Sequence, residues 1–543
     1  MSKKKPLLSL FEEFLERYSR VILISILLTG LLVRLYGINF GLPYRYNPDE
    51  QSCVSRVLRM LANRDLNPHW FGHPGTTIMY MLAGLYGILF IIGRCLGIFT
   101  GAEDFEALYF RDATIFFLSG RLLCAVFGIA TVWLVYLIGR RIFNKTTGLL
   151  AASIIAISPL HVYYSKLIRS DILMSFIILG AFWFSLNILK SRSFINYIIV
   201  GFLTGLAIAT KYPAVIFMLT LIQAQLVTKR WQARDNFTLL ISSIACLLGA
   251  FVGSPFLFID LPQVISDLIR EARPTHLSAT GEGLINNIIW YCQNPLRDSF
   301  TVYGLLFVFI GIVLCLGSKQ KSGWLLISFP VFFLVFISCL SLRWDRWIIP
   351  IIPFSCILLA HAIHQFVKWS VPRLNFKIGF WIGIISFGII FSILLHMSII
   401  QGREMSGLDT RTLARQWIIN NIPPKTSVLV EEYTPQIPTR LFRLFEVHNN
   451  VIREVEPDQI KSEIFISISR GIGMIDNVEA IHSRNIKYMI MSDLYDRYKR
   501  EENRYLKIVK NYEKLMNYGT LVYEKQSLPT VNKGPKIRIY KFN

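Results

Sequence analysis

Long apolar runs dominate the chain and break only at short polar joints. Runs able to cross about 30 Å of hydrocarbon lie near residues 21–38, 113–139, 146–164, 171–189, 195–211, 236–258, 300–317, 323–341, 347–366 and 378–399. A shorter run, 213–227, follows Lys211-Tyr-Pro213 and returns across the same slab. Between the first two long runs, Val54, Val57, Leu58 and Leu61 share one face of a predicted helix over Gln51–Asn63. Arg56, Arg59 and Arg64 flank that face, the pattern of a helix lying along an interface. Just before it, Pro43 and Pro48 predict an extended or turned segment over Gly41–Glu50. Beyond about residue 403 the pattern shifts to strand-like runs: Ser427-Val-Leu-Val430, Lys487-Tyr-Met-Ile-Met491, Thr520-Leu-Val-Tyr523 and Lys536-Ile-Arg-Ile-Tyr540. Helical patterns over Thr410–Asn421 and Ser492–Asn517 alternate with them, predicting a small α/β domain of roughly 140 residues. No internal repeat and no low-complexity tract interrupts this order.

The composition agrees with that reading: 53% hydrophobic and 17% charged residues, with mean hydropathy +0.46, exclude an ordinary soluble protein. The net charge of +22 would suggest nucleic acid in a soluble chain, but here much of it falls in short loops and reports membrane orientation. The clusters are 3–5, Arg140-Arg141 with Lys145, Lys190 with Arg192, Lys229-Arg230 with Arg234, Lys319 with Lys321, and Lys368, Arg373 and Lys377. All fall on the side of the N-terminus if the run 75–98 does not cross. That run is therefore expected to be a juxtamembrane or re-entrant helix within an exterior loop, 39–112. Eleven crossings follow (the ten long runs and the short one), with residues 1–402 as the membrane domain and 403–543 as an exterior domain. The N-terminus is then cytoplasmic and the first span uncleaved; for a bacterial inner membrane the exterior is the periplasm. The eight cysteines are scattered singly, which indicates no disulfide framework.

Polar chemistry gathers at the exterior face. Asp49 and Glu50 sit where the first span leaves the membrane, and an acidic pair there is costly unless hydrated, paired or working. Either could instead cap the following helix. His73 lies in Gly-His-Pro-Gly75, Asp171 opens a span, and Lys211 marks the turn between two others. Arg343 and Arg346 lie in Arg-Trp-Asp-Arg-Trp347, and Arg273 and His276 in Glu-Ala-Arg-Pro-Thr-His276. Each has a structural alternative: a helix cap for Asp171, snorkelling anchors for Lys211, Arg343 and Arg346, and a structural or solvated loop role for the others. Taken together, the acids could activate a hydroxyl nucleophile while the cations hold a phosphate as its charge develops. That combination describes transfer from a lipid-linked phosphate donor. No spacing demands a metal, although carboxylates could hold a divalent ion, and no other cofactor is indicated.

Pro-Asp-Glu50 followed by the interface helix and His-Pro-Gly75 resembles the first exterior loop of the C-fold glycosyltransferases. Among these it resembles the protein O-mannosyltransferases and the lipid A aminoarabinose transferases. The resemblance extends through Gly120-Arg-Leu-Leu-Cys-Ala-Val-Phe-Gly128, Gly139-Arg-Arg141, Ser158-Pro-Leu-His-Val-Tyr-Tyr-Ser165, Gly205-Leu-Ala-Ile-Ala-Thr-Lys211 and Arg346-Trp-Ile-Ile-Pro350, roughly residues 35–365. It implies an all-α polytopic domain of about 11–13 transmembrane helices carrying the α/β domain. It also implies an inverting transferase that moves a sugar from a polyprenyl-phosphate donor to a hydroxyl or phosphate on a lipid, glycan or protein acceptor. Asp49 would be the base, Glu50 and Asp171 would position acceptor or donor, and Lys211 and Arg346 would hold the lipid phosphate, with Arg343 and His73 beside them. Apart from the resemblance, Arg273 and His276 are candidates for the acceptor side or for the loop itself. Two departures stand out: His73-Pro74 replaces the Lys-Pro of the aminoarabinose transferases, and the loop 259–299 is too short for the β-trefoil of the mannosyltransferases. A transporter or flippase of lipid-linked sugars is the competing reading, though such proteins show repeats and midplane sites. A third is a non-catalytic member whose exterior tail binds a partner.

Overall fold

The structure is a computed structural model that describes residues 7–542, apart from 73–74, 192, 228–232, 375, 449, 456–470 and 476–478. The chain runs as α1 (Leu7–Leu35), α2 (Pro48–Asn63), α3 (Thr76–Cys95), α4 (Ala102–Arg111), α5 (Thr114–Ile142), α6 (Lys145–Ala156), α7 (Pro159–Tyr164), α8 (Ser170–Ile188), α9 (Phe194–Thr210), α10 (Phe217–Val227) and α11 (Ala233–Gly253). After the short α12 (Phe256–Ile259) come α13 (Leu261–Glu271), α14 (Leu284–Tyr291), α15 (Arg297–Gly317), α16 (Lys321–Ser338), α17 (Ile352–Leu374), α18 (Phe376–Ser406) and α19 (Thr410–Asn421). Among the described residues, nine helical stretches are long and apolar enough to cross a membrane, and shorter apolar helices accompany them. The bundle is centred on α17 and the turn before it, where every residue from Ile348 to His364 is buried. A helix apolar all round belongs in such a position.

Close packing sets the heights of the helix ends that matter. Gly201 and Gly205 of α9 lie against α11, where a Cβ would meet Ser242 O at 2.1 Å or Cys246 O at 1.9 Å. Only glycine allows that approach, and the pair carries the C-terminal end of α9, with Lys211, to one end of the bundle. Although α3 is long enough to cross, it runs along that same end. Thr77 Oγ1 donates to Gly253 O at the end of α11 (3.3 Å), and Tyr86 Oη donates to Phe116 O in the first turn of α5 (2.9 Å). Phe90, Phe99, Phe105 and Phe116 then pack ring on ring between α3, α4 and α5.

The segment over Gly41–Glu50 is only partly extended, because α2 begins earlier than expected, at Pro48. The Asn47 side chain caps it by accepting from Asp49 N (3.1 Å) and Glu50 N (3.3 Å). Proline suits the first helical position, whose N–H has no helical partner, so the residue read as a helix breaker starts the helix. Glu50 is thereby turned into the protein. Arg121 of α5 donates to it twice, at 2.9 and 2.7 Å, and Ile168 N donates a third bond at 3.0 Å. The same guanidinium donates to Ile38 O (2.8 Å) and Phe40 O (2.9 Å). One buried pair thus ties together the exit of α1, the start of α2, α5 and the loop before α8.

In the C-terminal domain the described residues form a six-stranded mixed sheet of order β3-β2-β1-β4-β6-β5. The strands are β1 (Ser427–Val430), β2 (Arg443–His448), β3 (Val451–Glu454), β4 (Tyr488–Met491), β5 (Thr520–Lys525) and β6 (Ile537–Lys541). β1 pairs parallel with β2 and β4, and the remaining pairings are antiparallel. β2 and β3 escape the sequence pattern because charge sits at inward positions; Glu446 is buried and paired with Arg453 at 2.9 Å. The helix expected over Ser492–Asn517 is two helices, Leu494–Arg500 and Glu502–Tyr518. α18 continues past residue 402 to Ser406 before the chain enters this domain.

Breaking the buried pair leaves an uncompensated charge, so Arg121→Met is expected to lower stability by about 3–5 kcal/mol. Restoring electroneutrality with Glu50→Gln in the same chain should recover part of that loss. Thermal unfolding of the single and double variants in one detergent checks both outcomes.

Candidate active site

A cavity of about 710 Å³ opens at the end of the bundle where α2 and α8 begin and α9 ends. From the membrane domain it is lined by Asp49, Arg169, Lys211, Trp344 and Arg346, and from the loop after α13 by Arg273 and His276. The C-terminal domain closes the far side with Arg411, Tyr433, Arg497 and Lys533. Successive residues of a helix project about 100° apart, so Asp49 faces this space while Glu50 faces the protein. The Asp49 side chain is 45% exposed.

Arg169 joins the two acids that sequence places far apart. Its Nη1 donates to Asp49 Oδ2, and its Nε donates to Asp171 Oδ2 at 3.3 Å. Lys211 Nζ donates to the other Asp171 oxygen. Asp49, Arg169, Asp171 and Lys211 therefore form a row of alternating charge, with Asp171 one layer behind the wall at 1% exposure. Arg346 is set by the turn Asp345–Ile351. Asp345 Oδ1 accepts from Arg346 N (2.7 Å) and from the Tyr164 hydroxyl (2.9 Å). The guanidinium lies over Trp344, 4.2 Å from the ring centroid, and Trp344 packs edge-on against His276 at 4.9 Å. The Arg346 Nε is buried and has no hydrogen-bond partner among the described residues, which leaves a donor for an anionic guest.

The charge balance of the lining is positive. Arg169, Lys211, Arg273, Arg346, Arg411, Arg497 and Lys533 face Asp49, Glu271, Asp409 and Asp493. Arg411 pairs with Asp409 (2.7 Å), Arg497 with Asp493 (3.1 Å) and Arg273 with Glu271 (3.9 Å). Arg346 and Lys533 have no carboxylate within ion-pair distance among the described residues. Burial lowers the Lys211 pKa below its ordinary value against the opposing pull of Asp171. Burial also lowers Lys533, whose ammonium stands 4.3 Å over the Tyr163 ring. His276 is pushed below its ordinary value by burial, partly offset by its bond to Leu277 O. Among the described residues no three His, Cys, Asp or Glu side chains cluster as a metal site would require.

Of the residues singled out from sequence, Asp49, Lys211, Arg346, Arg273 and His276 line one cavity, and Asp171 supports it from behind. Two do not belong there. Glu50 is locked in the Arg121 clasp and cannot touch a guest. Arg343 points to the other side of its segment, pairing with Glu282 (2.8 Å) and lying 5.2 Å over Trp290, because neighbours along an extended backbone alternate in direction. His73 lies outside the described residues. Sequence reasoning missed Arg169, although a cation two residues before Asp171 at the end of an apolar stretch was a usable signal. It also missed Arg411, Tyr433, Arg497 and Lys533, for which no local signal exists.

The C-terminal domain also grips the loop that carries Asp49. Arg411 stacks on Tyr46 (4.1 Å) and donates to its carbonyl (2.8 Å), while Arg415 stacks on Tyr44 (4.9 Å). Tyr433 holds a left-handed backbone (φ 66°) in the cavity wall, a conformation that costs a bulky residue energy and tends to mark functional sites.

Comparison with known proteins agrees with this architecture. Residues 116–258, from α5 to α12, match the family model described as dolichyl-phosphate-mannose-protein mannosyltransferase. The fold is similar to that of ArnT from Cupriavidus metallidurans in the apo state, with TM-score 0.56 and 12% identity over 95% of this chain and 97% of that one. The same protein bound to undecaprenyl phosphate gives TM-score 0.53 and 12% identity over 96% and 97%. No curated protein matches the sequence. The resemblance to the C-fold glycosyltransferases therefore stands at the level of the fold, with the family match confined to residues 116–258. The chain is a polytopic membrane domain of that type with a small C-terminal sheet domain.

Arg169 and Asp49 should separate in a stability measurement. Arg169→Met leaves the buried Asp171 with Lys211 as its remaining cation and is expected to cost more than about 1 kcal/mol. Asp49→Asn removes a half-exposed partner and should cost less than about 1 kcal/mol. Unfolding curves of the two purified variants test the difference.

Proposed function

We propose that the chain is a membrane glycosyltransferase that moves a sugar from a polyprenyl-phosphate donor to a hydroxyl or phosphate acceptor, with inversion, at the non-cytoplasmic face. The observation that carries this reading is the convergence of Asp49, Arg169, Asp171, Lys211 and Arg346 on one cavity at a single end of the bundle. The C-type fold and the family match support it, as does the undecaprenyl phosphate bound by the ArnT structure.

In this reading Asp49 accepts the proton of an acceptor hydroxyl within about 3 Å as that oxygen bonds the anomeric carbon. The bond from that carbon to the phosphate oxygen breaks on the opposite face, and the electron pair leaves with the lipid phosphate. Arg346, with its spare Nε donor, and Lys211 take the departing charge, because cations in a water-poor site stabilise charge as it develops. Arg169 and Asp171 are positioning residues: the first aims Asp49, the second holds Arg169 and Lys211. Arg273 and His276 face the acceptor side. A flippase would want charged groups near the membrane midplane, whereas these lie together at one end, which favours transfer over transport.

With a general base worth about 10²–10⁴-fold, Asp49→Asn should lower turnover by that factor while the protein stays folded. Arg346→Ala should chiefly weaken donor binding. The assay is release of lipid phosphate from a panel of polyprenyl-phosphate sugars, and near-normal turnover of Asp49→Asn removes Asp49 as the base. A pH dependence follows from Lys211. Burial lowers its pKa below the ordinary lysine value, so donor affinity should fall as pH rises toward that ordinary value. Lys211→Arg, which stays protonated, should flatten the decline.

A further inference from the structure

A second cavity, of about 610 Å³, lies between the far half of α2, the middle of α3 and α4. Leu58, Leu61, Tyr86, Phe90, Phe105 and Phe110 make it largely apolar. At its edge stand Arg59 from α2 and Glu103 and Glu106 from α4, opposite charges on opposite walls. It shares no lining residue with the cavity around Asp49. Its depth depends on Gly87, where a Cβ would meet no atom within 4 Å. Beside it Ile88 and Ile91 of α3 and Leu96 just after it are exposed at 56%, 61% and 69%. A row of that size is unfavourable against water and belongs against hydrocarbon, so the groove opens next to a lipid-covered surface.

We propose that this groove binds one acyl chain of a zwitterionic bilayer phospholipid, its headgroup phosphate toward Arg59 and its amine toward Glu103 and Glu106. The volume falls within the range of small-ligand sites, the walls suit a hydrocarbon chain, and the two-signed edge suits a headgroup that carries both charges. The tail of a donor whose phosphate sits at Arg346 has no shared wall by which to reach it. Occupancy would brace α2, whose opposite end carries Asp49, against α3 and α4.

The test is fold-neutral by construction. Gly87→Phe fills the groove at a helical position where phenylalanine has the better helix propensity, and Gly388→Phe places the same bulk on α18 at another site with open space around its Cβ. Purified protein in detergent is titrated with palmitoyl-oleoyl phosphatidylethanolamine, and bound lipid is counted by native mass spectrometry. Wild type and Gly388→Phe should bind one lipid that Gly87→Phe binds at least about tenfold more weakly, the contact of roughly two buried methylenes. Equal binding by all three, or equal loss in both variants, overturns the site. So does displacement of that lipid by undecaprenyl phosphate at equal concentration, which would assign the groove to a polyprenyl chain. Should Gly87→Phe fail to purify, Gly87→Leu gives the same reading. Because the count needs no turnover, its failure leaves the transferase assignment untouched, and the reverse holds as well.

Discussion

Everything at the working end of this molecule depends on neutralising carboxylates where water is scarce. A charge beside hydrocarbon is tolerated only if it is paired and hydrogen-bonded, and the chain meets that demand twice within consecutive residues. Glu50 receives three hydrogen bonds from Arg121 and Ile168 and becomes part of the scaffold. Asp49, one residue earlier and rotated by the helix, stays at the cavity side with Arg169 as its partner. Because the two are adjacent in one helical turn, fixing the first aims the second.

That arrangement reaches outward through Arg169 to Asp171 and Lys211, so the mouths of α2, α8 and α9 are coupled by charge as well as by packing. Glycine-mediated contact between α9 and α11 places Lys211 at the right height, and the turn at Asp345 places Arg346 beside it. The row alternates in sign, yet the cavity as a whole is cationic. Arg346 and Lys533 have no carboxylate within ion-pair distance among the described residues, and an anionic guest is a natural counterpart.

The C-terminal domain is a wall of the site rather than an appendage. Arg411 and Arg415 hold the Tyr44–Tyr46 segment, while Tyr433, Arg497 and Lys533 complete the lining. Within that domain Glu431 is buried beneath the wall and satisfied by Ile472 N, by the amide and hydroxyl of Ser492, and by the Tyr512 hydroxyl. Burial raises its pKa against those bonds, and the group pins the loop whose next residues, Glu432 and Tyr433, face Asp49.

Hydrophobic run length, the change of period near residue 403 and the clustering of acids and bases at span ends determined the class of fold and most of the membrane half of the site. Those signals are local: a run must match the slab, and a charge at its edge needs a reason to be there. The start of α2 at Pro48 was misread because proline breaks a helix interior yet suits its first turn, and only the Asn47 cap decides between them. The different fates of Asp49 and Glu50, the outward turn of Arg343 and the arrival of Arg411, Tyr433, Arg497 and Lys533 were settled by tertiary structure alone. Each depends on which distant surface lies across from the residue, and no spacing along the chain encodes that.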